Sequence, residues 1–566
     1  MENFDFSISY YHEGGQSVCP LAETSDYKII RTEENGIFTA ILVPKIPVVL
    51  DSIELSFDYN FKDGDLFFGN GYQSWTVSKE YSKNDTMDYF ARPLNHGYTK
   101  MVAGISSDVR FVKDDKRPGH FFSHCYTYIK HGNGDAPVDF IGSLSERAGF
   151  TVIYADMDEN RIRITKDVAG TALEAGQEYE FINILSASGS YDEVFDRYFA
   201  EMNIPAPRID HLSGYTSWYN YFKNIDEKII LRDLNALDRV QESVNVFQID
   251  DGYETYVGDW LDLNEKKFPN GMREIAKKIH EKGYMAGIWL APFLVQRQSR
   301  TYAEHPDWVI RDENGLPIVG TLSWGMAYIL DINKPEPREY LRHVFDVVLN
   351  VWGYDLVKLD FLYAVALYPL YDRSRGTLMC EAMEFLRECC GDKLILGCGV
   401  PLGAAFGYVD ACRISCDVDL SYKPKYYDKM SINPEIVSAQ NAINNTIFRR
   451  HLNGRAFVSD PDVFFLRYSN LKFNMKQKIL LAGINHIFGD VLFVSDNMEE
   501  YVPEDIELVK KIYKKSEYRV ISADATVNDK IMIVLEDKNG KRENLWFRMS
   551  TGFSNMPEVL GVSENR

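Results

Sequence analysis

From about residue 196 the chain repeats one rhythm of strand, loop and helix, and this repetition restricts its fold more than any other feature. Gly214-Tyr215-Thr216-Ser217-Trp218-Tyr219 reads as the first strand, with a helical period over 225–241 behind it. Residues 244–250 read as the second strand, and 270–282 as a helix stopped by Gly283. Strands follow at 285–293 and 356–361, the latter preceded by an amphipathic helix over 336–352. Further strands are expected at 394–399, 411–415 and 456–458, and a helix over 474–483 leads to an eighth near 484–488. Seven or eight such units in about 290 residues match a (β/α)8 barrel. An open doubly wound sheet is the competitor, but no G-x-G-x-x-G follows the early strands.

The flanks have a different grammar. Up to about residue 195, alternating or β-branched runs at 38–49, 52–59, 120–130, 150–154, 161–168 and 179–185 are separated by turn chemistry, Asn35-Gly36 and Asp63-Gly64 among it. Many short strands so punctuated predict an antiparallel β-sandwich. After about 490 short strands return at 530–535 and 543–549, predicting a small β domain. The expected organisation is therefore multidomain: a sandwich over 1–195, a TIM barrel over 196–489 and a β domain over 490–566. A length of 566 residues accommodates this.

Composition excludes several partners. A net charge of −21 opposes binding to a nucleic-acid backbone or an anionic membrane. No apolar run reaches the length of a membrane span. The acidic start Met1-Glu2-Asn3-Phe4-Asp5-Phe6 lacks the basic and apolar regions of a signal peptide. The eight cysteines have no framework spacing, and Cys412 and Cys416 lack the further ligands of a zinc site. We expect a cytoplasmic protein without metal or organic cofactor. The aromatic share of 13% suits a site for sugars, whose C–H faces pack on rings.

In a barrel, reactive groups sit just past the carboxyl ends of the strands. Trp218 follows the first strand, Asp250-Asp251-Gly252 the second, and Trp289 lies on the third. In Gly353-Tyr354-Asp355-Leu356-Val357-Lys358-Leu359-Asp360-Phe361, Lys358 and Asp360 are two apart and share a face near the strand end. An ammonium beside a buried carboxylate favours its charged form, which suits nucleophilic attack on a sugar carbon. Taken alone, Lys-x-Asp is more often a structural ion pair. Asp250 and Asp251 are placed to accept hydrogen bonds from neighbouring sugar hydroxyls; a turn cap is the plainer reading. After the sixth strand, Arg413 offers a planar fork of donors and Asp417 is a candidate general acid, with Asp419 as a rival. Cys398 has no paired histidine in the sequence and reads as a contact residue. The glycine-rich loop Gly69-Asn70-Gly71-Tyr72-Gln73-Ser74-Trp75 can carry Trp75 out of the sandwich, or Trp75 can plug that domain's own core.

These motifs, in this order, resemble glycoside hydrolase family 36, the microbial α-galactosidases. The matching runs are Phe247-Gln248-Ile249-Asp250-Asp251-Gly252-Tyr253, Gly258-Asp259-Trp260, Gly287-Ile288-Trp289-Leu290-Ala291-Pro292-Phe293 and His305-Pro306-Asp307-Trp308. They continue with Lys358-Leu359-Asp360-Phe361, Leu396-Gly397-Cys398-Gly399, Arg413-Ile414-Ser415-Cys416-Asp417 and Ser459-Asp460-Pro461-Asp462, while Tyr72-Gln73-Ser74-Trp75 resembles the family's sandwich loop. The resemblance implies a retaining α-galactosidase with Asp360 as nucleophile and Asp417 as acid/base. It implies that Asp250 and Asp251 hold the hydroxyls at carbons 4 and 6. Lys358, Arg413 and Cys398 would surround the ring, with Trp218, Trp289 and Trp75 as aromatic walls.

The residues beside Asp417 and the loop Gly320-Thr321-Leu322-Ser323-Trp324 depart from the family's usual ones, which bears on the group at carbon 2. Three alternatives stay open: α-galactosyl transfer of the raffinose-synthase kind, an α-N-acetylgalactosaminidase, and a carbohydrate-binding protein without catalysis. The partner expected is a small α-galactoside, and a homo-oligomer stays open, as does whether Trp75 serves its own subunit's site.

Overall fold

The computed structural model describes residues 4–87, 115, 117–424, 437–526 and 529–563. At its amino end two seven-stranded antiparallel sheets lie face to face. One runs Gly15–Cys19, Phe4–His12, Val48–Asp58, Arg161–Asp167, Phe150–Asp156 and His120–His124, with Ala172–Leu173 on Val48–Asp58. The other runs Tyr27–Glu34, Ile37–Pro44, Tyr179–Gly189, Val138–Ser143, Tyr126–His131, Asp65–Gly69 and Lys79–Ser82. The strand Ile37–Pro44 buries every second residue, so one face enters the inter-sheet core with Phe6, Leu55, Phe67 and Ile164. Cys125, at φ 68, is the corner where the chain leaves the first sheet for the second.

The centre is an eight-stranded parallel sheet: Leu212–Thr216, Val246–Ile249, Met285–Leu290, Leu356–Leu359, Leu394–Gly397, Ala411–Arg413, Val458–Asp460 and Val491–Val494. The eighth strand pairs with the first, and Asp490 N–H donates to Ser459 O across the remaining gap at 3.2 Å, nearly closing the barrel. The strands are short apolar runs because the barrel core buries one face and the helix layer the other.

One expected strand is corrected. Residues 484–488 are not the eighth strand but the last turns of a helix, Met475–Phe488, and the strand begins at Val491. That helix is buried continuously from Lys478 to Phe488, so it carries no amphipathic stripe to separate it from a buried strand. The first strand likewise ends at Thr216, and Trp218–Tyr221 is a helical turn. Between the third and fourth strands the chain makes a long excursion that builds a small antiparallel sheet, Leu294–Gln296, Val319–Thr321 and Ala327–Ile329, over the barrel mouth.

After the barrel, Arg519–Thr526, Lys530–Glu536 and Arg542–Arg548 form a three-stranded antiparallel sheet. A buried ion pair, Lys130 Nζ to Asp524 Oδ1 at 2.6 Å, ties it to the sandwich. No helix among the described residues is long and apolar enough to cross a membrane.

Candidate active site

A cavity of about 670 Å³ opens at the carboxyl ends of the barrel strands. Asp360 and Asp417, from the fourth and sixth strands, both line it, together with Trp75, Trp218, Asp250, Asp251, Trp289 and Lys358. Eight of the ten residues singled out in the sequence therefore meet at one opening. Arg413 and Cys398 stand directly behind its wall. Asp419 does not line it.

Asp360 follows Leu356–Leu359 and is buried. Its Oδ2 accepts the indole N–H of Trp289 at 3.0 Å, and its Oδ1 the backbone N–H of Phe361 at 2.8 Å. Phe361 has a left-handed backbone, φ 55, the kind of strain that gathers at functional positions. Burial pushes the carboxyl of Asp360 upward, against Lys358, Trp289 and the Cys398 thiol, which favour its charged form. The expected ion pair of Lys358 is also redirected. Its Nζ lies 2.9 Å from Asp250 Oδ2, not in a bond to Asp360. Burial opposes the ammonium, but Asp250 and then Cys398 and Asp360 hold it charged, with a pKa above the usual lysine range.

Asp250 is braced further by Gln248 Nε2 at 3.1 Å, and its own N–H donates to Ser217 Oγ at 2.9 Å. Asp251 Oδ2 accepts the indole N–H of Trp324 at 2.7 Å. Burial pushes Asp251 up, against hydrogen bonds from Glu254 and Trp324. Glu254 lies beneath it, pushed well above the usual carboxyl range by burial and then by the charge of Asp251. The cavity-facing member of the pair, Asp251, has acceptor capacity for a ligand hydroxyl.

Trp75 reaches this cavity because its loop is docked on the barrel. Ser74 N–H donates to Val400 O at 3.0 Å and Gly399 N–H to Ser74 Oγ at 2.9 Å. Gly399, at φ +57, lies under the ring; a Cβ there would stand 2.8 Å from the Trp75 ring. The rings of Phe361 and Tyr363 meet Trp75 edge-on at 5.1 and 5.8 Å. Trp75 is therefore a wall of the cavity of its own chain rather than the plug of the sandwich core. Cys398 is fully buried, accepts the indole N–H of Trp75 at 3.2 Å, and has a thiol pushed well up by burial and then by Asp360.

Asp417 is different in kind. Its side chain is 44% exposed and takes a hydrogen bond from Arg413 Nη2 at 3.1 Å. Arg413 is buried and reaches Asp462 Oδ2 with the same nitrogen at 3.2 Å. Several groups went unread in the sequence: Trp324, Phe361, Tyr363, Phe222 and Lys223 on the cavity, and Glu254, Asp462 and Arg449 behind it. Trp324 carried a signal, since it lies in the segment 320–324 that departs from the family's usual residues, and Phe361 and Asp462 lie in quoted motifs without being singled out there. Among the described residues no group of three or more His, Cys, Asp or Glu is arranged to hold a metal ion.

An eight-stranded parallel barrel whose carboxyl-end mouth holds two carboxyls, tandem acids and several tryptophans is an arrangement suited to holding a sugar ring and cleaving its glycosidic bond. Comparison with known proteins points the same way. A family model described as Melibiase matches residues 217–373. Alpha-galactosidase 1 of Pediococcus pentosaceus is 30% identical over 142 residues, 23% of this chain and 19% of that protein. The A type blood alpha-D-galactosamine galactosaminidase of Flavonifractor plautii is 26% identical over 295 residues, 48% of this chain and 26% of that protein. The chain aligns with about a fifth to a quarter of the length of these two relatives. An alpha-galactosidase from Thermus thermophilus, solved with p-nitrophenyl alpha-D-galactopyranoside, superposes with a TM-score of 0.69 and 25% identity, covering 91% of this chain and 98% of that one. A family 36 alpha-galactosidase from Geobacillus stearothermophilus shares the fold at 13% identity, with a TM-score of 0.61 over 96% of this chain and 81% of that one. Residues 217–373 thus match the Melibiase model, and the chain shares its fold with the alpha-galactosidases compared.

Proposed function

We propose that the protein is a retaining α-galactosidase that releases terminal α-galactosyl residues from oligosaccharides. The observation that carries this reading is the pairing of two unlike carboxyls on one cavity. Asp360 is buried and gripped by two N–H donors, whereas Asp417 is open to solvent. Asp360 attacks the anomeric carbon while Asp417 passes its proton to the departing glycosidic oxygen. Asp417 then takes a proton from water, which attacks the same carbon and frees Asp360, so the anomeric configuration is retained. Asp250 and Asp251 accept hydroxyl protons of the ring, Lys358 and Arg413 set the charge around it, and Trp75, Trp218 and Trp289 wall it. Cys398 packs behind the wall. The Thermus thermophilus relative, solved with an aryl α-galactoside, supports the choice of sugar.

The test uses azide. Asp360→Gly should lose about 10⁴-fold or more in kcat on an aryl α-galactoside, and azide should restore turnover as the β-galactosyl azide. Asp417→Ala should instead yield the α-galactosyl azide, because its intermediate still forms on Asp360. Full activity in either variant removes the assignment.

A second reading keeps this chemistry and exchanges the hydroxyl at carbon 2 for an amino or acetamido group. Similarity to the Flavonifractor plautii galactosaminidase over 295 residues favours it. Rates on paired aryl α-galactosides and α-N-acetylgalactosaminides separate the two. All eight cysteines are free, which suits a reducing, cytoplasmic setting.

A further inference from the structure

The acid/base role assigned to Asp417 meets an electrostatic obstacle. A general acid must hold its proton until the leaving oxygen takes it. Yet Arg413 Nη2 lies 3.1 Å from Asp417 Oδ1, so a guanidinium stands directly against the proposed acid. The Arg413 side chain is 2% exposed, so solvent does little to screen its charge. Some other group must hold that charge while Asp417 is protonated.

Asp462 occupies the required position. Its Oδ2 lies 3.2 Å from the same Arg413 Nη2, on the buried side. It also accepts the hydroxyl of Tyr219 and, at 2.8 Å, the backbone N–H of Val418, the residue next to Asp417. The backbone of Asp462 is left-handed, φ 77, and its own N–H donates to Asp460 Oδ1 at 2.8 Å. A non-glycine residue keeps such a conformation where its neighbours fix it. Here they aim one carboxylate at one guanidinium and at the chain directly behind Asp417.

We propose that Asp462 is a positioning residue for Asp417: it holds the charge of Arg413 from the buried side, leaving Asp417 free to carry the proton that the leaving group takes. The inference rests on the acid/base reading of Asp417. During glycosylation the proton moves from Asp417 to the glycosidic oxygen as the C–O bond breaks and Asp360 bonds to carbon. Asp417, now an anion, then shares Arg413 until water returns a proton to it. Burial pushes Asp462 up to about 7, against the pull of Arg413.

The titratable groups facing this pair are Arg413, Tyr219, Asp460 and Cys398, with Lys358 one step further across the barrel. Tyr219 and Cys398 are held neutral by burial, which leaves the two cations and the carboxyls to set the local charge.

The experiment measures kcat/KM against pH for Asp462→Asn in the full chain, on phenyl and 2,4-dinitrophenyl α-galactosides. Phenol is a poor leaving group and needs the proton; dinitrophenolate does not. The variant should lose about 30-fold on the phenyl substrate and stay within about threefold on the dinitrophenyl one. Its alkaline limb should move about one pH unit lower. Equal losses on both substrates with an unmoved limb would mean that Asp462 is merely structural. If Asp462→Asn does not fold, Tyr219→Phe, which removes one donor from Asp462, should move the limb the same way by less; an unmoved limb there overturns the proposal. Asp417→Ala is measured alongside. If it shows no leaving-group dependence, the acid/base reading has failed rather than the role of Asp462.

Discussion

Trp75 Nε1 lies 3.2 Å from Cys398 Sγ, so an indole of the amino-terminal sandwich is hydrogen-bonded to a thiol at the end of the fifth barrel strand. This contact joins the two large domains at the cavity itself, and it fixes the ring as a wall of the same chain's site. Trp75→Ala should raise KM for aryl α-galactosides by roughly 10- to 150-fold, the equivalent of about 1.5–3 kcal/mol for a buried ring. Trp75→Phe should lose less, because it keeps the face and drops only the N–H. Initial rates over a range of substrate concentrations decide this, and an unchanged KM in the alanine variant removes Trp75 from the site.

Arg449 anchors that loop. Its Nη1 donates to Ser74 O at 2.6 Å and Ile414 O at 2.9 Å, its Nη2 to Gln73 O at 3.0 Å, and its Nε to Asn70 Oδ1 at 3.1 Å. The guanidinium is buried, so its removal leaves several carbonyls without a donor. Arg449→Met should destabilise the protein by about 3 kcal/mol in urea unfolding. The surviving folded enzyme should show a raised KM, because the tryptophan wall loosens. Lysine should not restore either property, since a point charge cannot reach carbonyls spread around a planar fork. A lysine variant with normal stability and KM would reject this account.

The residues legible in the sequence are those whose chemistry follows from position along one strand. Asp250, Asp360 and Asp417 were found because a barrel puts strand ends at one mouth. The partner of Lys358 was misread for the same reason: spacing pointed to Asp360 two residues on, whereas the bond goes to Asp250, 108 residues away. Arg449 and Asn70 are 379 residues apart, and nothing local in either segment reports that contact. The displaced eighth strand has another cause, since a helix buried on all sides and a buried strand present the same apolar composition.

Trp324 offers a sharper test of the tandem acids. Its indole N–H donates to Asp251 Oδ2 at 2.7 Å from a turn whose backbone is left-handed, φ 56. A hydrogen bond to a charged group contributes about 1.5–3 kcal/mol. Trp324→Phe keeps the ring and should lower kcat/KM by roughly 10- to 150-fold. Asp251 would then rely more on Glu254 beneath it. Glu254→Gln retains a donor toward Asp251 and should keep most of the wild-type rate near neutral pH, whereas Glu254→Ala should not. Matching losses in the glutamine and alanine variants would mean that a hydrogen bond from Glu254 is not what supports Asp251.

The last prediction concerns acid stability. His124 ends the strand His120–His124 and is buried, with Tyr72 and Phe122 against its ring, and neither ring nitrogen has a hydrogen-bond partner among the described residues. Burial, then the charges of Arg375 and Arg449, lowers its pKa from 6.5 to about 3. The unfolded chain therefore binds a proton below about pH 6.5 that the native protein refuses until about pH 3. Stability is unaffected by this group above that window, falls as the pH drops through it, and levels off below it. The slope from one such histidine is about 1.4 kcal/mol per pH unit. His451, held down by burial and then by Arg450, acts in the same direction. Urea midpoints measured from pH 7 to pH 4.5 should decline in the wild type. In His124→Phe the decline should be shallower by about one proton's worth, because the unfolded state no longer has that site to fill. Parallel declines in the two proteins would show that His124 is not the group the native state keeps neutral.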